Sequence, residues 1–111
     1  DGQVNQLLIS RFLEKLGLDV VITNNGQEAI DALSEAKFHI ILMDLEMPVL
    51  GGIEATKEIR SKRLSMSPII ALTAHDDPET RKLCIKSRMN GFLLKPLDLN
   101  AIIQELDKFL S

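Results

Sequence analysis

The chain has 111 residues, with 13 Lys and Arg against 16 Asp and Glu, a formal net charge of −3. That length suits one domain with a single continuous core, and mild acidity without a basic block argues against nucleic acid or an anionic membrane as primary partner. The single cysteine, Cys84, excludes an intrachain disulfide or a Cys-rich zinc site, and the longest apolar run, Ile40 to Met43, is too short to cross a bilayer. A small, reduced domain is left, expected in the cytoplasm.

Val4, Leu7, Leu8, Phe12, Leu13 and Leu16 recur at helical spacing, and Gly17 stands where a helix C-cap lies. The short β-branched run from Leu18 to Ile22 predicts a strand. Asn25-Gly26 is a turn, and Ala29, Ile30 and Leu33 mark an amphipathic helix to about Ala36. Phe38 to Met43 is almost continuously apolar and ends in Asp44, the pattern of a strand covered on both faces. Met47-Pro48 and Gly51-Gly52 then break the chain before a helix from about Ile53 to Ser61.

Pro68 to Leu72 is the next buried strand, ending at Thr73. Asp77 and Pro78 supply an N-cap and a first-turn proline for a helix running to about Met89. Gly91 to Leu94 is a last short strand ending at Lys95-Pro96. Asp98 caps a final helix carrying Leu99, Ile102, Ile103, Leu106 and Leu110. Strands alternating with helices through short connections predict a doubly wound α/β fold, a parallel sheet covered on both faces. A helix in first position lacks the strand that would bury its apolar face, so a first strand is expected upstream of Asp1. Without it, a central gap should leave its neighbours unpaired.

Asp44, Thr73 and Lys95 fall at the C-terminal ends of separate predicted strands, where open α/β sheets bind ligands, and Asp1 would follow the missing strand. A carboxylate pair, a hydroxyl and an ammonium converging there suit a phosphoryl group held by a divalent cation. Neighbouring carboxylates repel unless they share a proton or a cation, and an oxygen-only site with few protein ligands suits Mg²⁺.

These residues carry a resemblance. Asp44-Leu45-Glu46-Met47-Pro48, Ile53-Glu54-Ala55, the run from Pro68 to His75, and the run from Gly91 to Leu97 together resemble the receiver domain of two-component response regulators. Val4-Asn5-Gln6 and Thr73-Ala74-His75 most resemble receivers attached to hybrid sensor histidine kinases. The resemblance covers residues 1–111 and implies a flavodoxin-like three-layer sandwich with strand order 2-1-3-4-5. It makes Asp44 the acceptor of a phosphoryl group from a phosphohistidine. Asp1 becomes a direct Mg²⁺ ligand, Asp44 a second, and the backbone carbonyl of Glu46 a third. It makes Thr73 and Lys95 the hydroxyl and ammonium that hold the phosphoryl oxygens, Thr73 and Phe92 a switch pair, and Lys95-Pro96 a cis peptide bond. The implied partner is a sensor histidine kinase or a histidine phosphotransfer protein. The domain is then a phosphoryl acceptor, and any kinase activity belongs to a parent hybrid kinase. Gly2 and Gly51 depart from the commoner Asn and Asp at those places, outside the chemistry.

Plainer readings stand beside these. Phe92 serves equally as core, and Cys84 reads as small core filler. His75 reads as a loop side chain, and His39 as a half-exposed sheet residue. Arg81, Lys82, Lys86 and Arg88 form a solvated basic face that could also meet partners. One rival function is a pseudo-receiver, a protein-interaction module that is never phosphorylated. The other is a flavodoxin-like enzyme or nucleotide binder, against which the chain has neither GxGxxG nor G-x-x-x-x-G-K.

Overall fold

Each apolar run of the sequence forms a parallel strand, and each periodic segment a helix laid against it. The computed structural model describes residues 2–22, 25–45, 51–95 and 98–110. Its elements are α1 (Gly2–Lys15), β1 (Val20–Ile22), α2 (Gly26–Glu35), β2 (Ile40–Asp44), α3 (Gly52–Ser61), β3 (Ile69–Thr73), α4 (Pro78–Lys86), β4 (Gly91–Leu94) and α5 (Leu99–Leu110). The sheet runs in the order β1-β2-β3-β4, all parallel. That corresponds to members 2, 3, 4 and 5 of the expected order 2-1-3-4-5.

The two-residue period of the strands sorts the core into two layers. Val21, Ile41, Met43, Ile69 and Ala71 pack with Ala29, Ile30, Leu33, Ala55, Ile59 and Cys84 of α2, α3 and α4. Ile40, Leu42, Ile70, Leu72 and Leu93 pack on the other face with Ile9 and Leu13 of α1 and Ile102 and Leu106 of α5. Both central strands are buried along almost their whole length, which is why they read as continuous apolar runs.

One expectation is corrected here. The neighbours of the strand expected upstream of Asp1 are not left unpaired: β1 bonds directly to β2, with Val20 opposite Ile40 and Ile22 opposite Leu42. Unpaired backbone groups inside a core are costly, and lateral closure of the sheet satisfies them. The junction is reinforced at its start, where the His39 amide donates to the Asp19 carbonyl at 2.7 Å and His39 Nδ1 accepts from the Asp19 amide at 2.8 Å. These bonds turn the chain before Ile40, so β2 begins two residues later than its apolar run.

The predicted punctuation is in place at several ends. Gly17 closes α1 at φ 83°, a left-handed conformation that suits glycine. Asn25 caps α2 by accepting from the Glu28 amide at 2.9 Å, and Asp77 caps α4 by accepting from Thr80 at 2.7 Å. The carboxyl of Asp77 is held below its ordinary value of 3.8, mainly because the Thr80 backbone N–H donates to it. In one place the prediction overshoots. Helix α4 ends at Lys86 rather than Met89, because Arg88 adopts φ 72° and the Met89 amide turns back to the Cys84 carbonyl at 3.0 Å.

Candidate functional site

Strands β2, β3 and β4 end side by side, and their last residues bring Asp44, Thr73 and Lys95 to one edge. Asp44 is paired with Leu72, and Thr73 with Leu94, so Lys95 stands one residue past the ladder. Backbone bonds continue beyond the strands: Leu45 N–H donates to the Leu72 carbonyl at 2.9 Å, and Lys95 N–H to the Thr73 carbonyl at 2.8 Å.

The alternation that buries Leu42 and Leu93 under α1 and α5 puts Asp44 and Lys95, two residues further on each strand, on that same side. The Lys95 side chain reaches across the end of β3 to Asp44. Its Nζ lies 2.8 Å from both Oδ1 and Oδ2 of the carboxylate. The pair is partly sheltered, with side-chain exposure of 32% for Lys95 and 19% for Asp44. Charge-assisted bonds of this length are strong, and partial shelter from water reduces their screening. Thr73 is fully buried, and its Oγ1 accepts from the His75 amide at 3.1 Å, which tucks the following loop over the strand end.

Phe92 lies opposite Ala71 on β4 and packs against the layer of α2, α3 and α4. The Arg81 guanidinium carbon sits 4.4 Å from the centre of its ring, a cation–π contact. Arg81 Nε also donates to Asp76 Oδ1 at 2.7 Å, so one side chain joins the loop after Thr73 to the aromatic ring. His75 is an exposed loop residue and Cys84 is buried, as the plainer readings held.

Asp1, Glu46, Met47-Pro48 and Pro96 lie outside the described residues. Among the described residues no group of three or more His, Cys, Asp or Glu could hold a metal ion. The one expected ligand described here, the Asp44 carboxylate, is a hard oxygen donor with part of its surface open, which fits Mg²⁺ bound through few protein groups.

Sequence reasoning missed Gly52 as a contributor. A Cβ there would meet the Asp44 carbonyl oxygen at 2.6 Å, so the first turn of α3 can lie against the end of β2 only with glycine. The Gly51-Gly52 pair was visible, but as a chain break rather than as a close approach.

Strand ends bearing a carboxylate, a hydroxyl and an ammonium on this fold have relatives. The response regulator receiver domain matches residues 1–107. The chain belongs to that family. This receiver is 38% identical over 113 residues to hybrid signal transduction histidine kinase H of Dictyostelium discoideum, covering 97% of this chain and 8% of that protein. A Pseudomonas aeruginosa sensor histidine kinase's receiver domain, solved with magnesium coordinated in its active-site cleft, matches with TM-score 0.80 at 35% identity, over 98% of this chain and 90% of that one. In Saccharomyces cerevisiae, the complex of a histidine phosphotransfer signaling protein with the receiver domain of its downstream response regulator matches with TM-score 0.80 at 36% identity, over 96% of this chain and 81% of that one. The receiver spans 6–19% of the length of the curated relatives it matches. No helix among its described residues is long and apolar enough to cross a membrane.

Proposed function

We propose that this receiver takes a phosphoryl group on Asp44 from a phosphohistidine, with Mg²⁺ bound, and passes the event on as a change of surface. The observation that carries the reading is the contact of Lys95 Nζ with both oxygens of Asp44 at the ends of neighbouring strands. In the transfer, a carboxylate oxygen of Asp44 forms a bond to phosphorus as the phosphorus–nitrogen bond breaks. The imidazole leaves with the electron pair and takes up a proton. Positioning and charge neutralisation dominate such steps.

Because Lys95 spans both oxygens, its ammonium can follow charge onto the phosphoryl group whichever oxygen attacks. Thr73, at the end of the intervening strand, would exchange its present bond from the His75 amide for one to a phosphoryl oxygen, drawing the loop inward. Asp44, Asp1 and the Glu46 carbonyl would hold the metal, which when bound offsets negative charge on the phosphoryl oxygens. The donor is a histidine kinase or a histidine phosphotransfer protein, as in the yeast complex, and the setting is a cytoplasmic part of a hybrid kinase.

Intact mass after incubation with acetyl phosphate and Mg²⁺ tests this. The chain should gain one phosphoryl group, lose that gain with EDTA, and show none as Asp44→Asn. Lys95→Ala should slow the gain by about 10²-fold, the size of effect seen when one preorganised charge donor is removed. A folded chain that stays unmodified, or an Asp44→Asn variant that is modified equally, would point instead to an unphosphorylated interaction module.

A further inference from the structure

We infer that the groove between the C-terminal ends of α3 and α4 is a binding site for a dianionic phosphate group, separate from Asp44. Lys57, Arg60 and Ser61 from α3 line it on one side, and Lys86, Ser87 and Arg88 from the end of α4 on the other, around about 170 Å³. No acidic side chain lines it. In a chain whose net charge is −3, four cations converge here without a carboxylate.

Four cations elsewhere are matched, Lys62 with Glu58, Arg81 with Asp76, Lys95 with Asp44 and Lys108 with Glu105, while Arg11, Lys15, Lys37, Arg63 and Lys82 stand singly among the described residues and none of them lines this groove. Lys57, Lys86 and Arg88 enter no ion pair among the described residues. Arg60 is 8% exposed, and its guanidinium bonds only neutral oxygens: the Arg88 carbonyl at 3.2 Å, the Ser65 carbonyl at 2.9 Å and Asn90 Oδ1 at 2.8 Å. Burial, and then the charge of Arg88, lower the pKa of Arg60 from its ordinary range.

Basic residues at helix C-termini offset the helix dipoles, which is the competing explanation for their presence. Two helix ends supply roughly half a negative charge each, so four cations leave an excess of about three positive charges. That excess suits a dianion. The hydroxyls of Ser61 and Ser87 already donate to the Glu58 and Leu83 carbonyls, so recognition falls to the lysines and to the fork of Arg88. The groove sits by the starts of β3 and β4, where Asn90 Oδ1 also accepts from the Ile69 amide at 2.9 Å, at the opposite end of the sheet from Asp44.

The test follows backbone amide shifts of the ¹⁵N-labelled chain during titration with sodium phosphate, O-phosphoserine, or sodium chloride at equal ionic strength. Saturable shifts at Ser61, Ser87 and Arg88 are expected with phosphate and not with chloride. Binding should weaken about tenfold in Lys57→Gln/Arg88→Gly, two exposed charges being worth that much together. Arg88→Gly suits the left-handed φ of 72° and keeps the fold, and Arg88→Lys should keep most of the binding. Binding of O-phosphoserine at least as tight as phosphate identifies an esterified ligand, whereas phosphate binding alone identifies the free ion. Equal shifts with phosphate and chloride, or full affinity in the double variant, would overturn the site. Shifts at Thr73 and Lys95 report the Asp44 end separately, so failure there has no bearing on the groove.

Discussion

Arg60 joins three segments that no other side chain among the described residues connects: the turn after α3 at Ser65, the end of α4 at Arg88, and the entry to β4 at Asn90. Its removal takes the guanidinium from three part-buried oxygens, of which Asn90 Oδ1 keeps the Ile69 amide as a donor, and unties the three segments from one another. Arg60→Met, which keeps the buried stem, should lower unfolding free energy by about 2–4 kcal/mol. Urea denaturation would show it, and a loss within the roughly ±0.5 kcal/mol of a surface substitution would remove Arg60 from this role. The sequence is silent about it. A basic residue in a helix reads as solvated, and two of its acceptors lie 28 and 30 residues away. Asp44 and Lys95 are legible for the opposite reason: each ends an apolar strand, and strand ends of a parallel sheet gather.

At the scale of elements, α4 shows both what local chemistry encodes and where it stops. Asp77 before Pro78 marks the helix start plainly, and the Asp77 carboxylate accepts the Thr80 amide. A carboxyl held below its unfolded value contributes stability at pH above that value and loses it as pH falls through the folded one. The stability gap between wild type and Asp77→Ala should therefore be full at neutral pH and shrink below about pH 4. Thermal melts across that range would check it, and a gap independent of pH would show that the cap acts without its charge. The helix end was misjudged because Arg88 takes the left-handed turn that glycine or asparagine usually announces. The late start of β2 was equally hidden, since it depends on His39 meeting Asp19 across 20 residues.

Across the whole molecule, the alternating pattern specified the layers, and the direct pairing of β1 with β2 was the part no local signal carried. Closure of the sheet is a global outcome, set by the cost of unpaired backbone rather than by any one residue. Cys84 offers a probe of that integrity. It is 3% exposed on the inner face of α4, and burial raises its pKa, with Arg81 partly opposing. The thiol should therefore be inert to an aromatic disulfide reagent in the native protein and react only as urea opens the fold. Prompt labelling under native conditions would mean that the α4 layer opens independently. The continuation of backbone bonding past β2 and β4, through Leu45 and Lys95, ties the candidate site to the sheet. Asp44 and Lys95 are both tied by their backbones to β3, the strand between them, like two arms bolted to one post. Under the proposed phosphorylation, the shared post holds both backbones in place, so the change would be carried by side chains and by the loops that follow the strands.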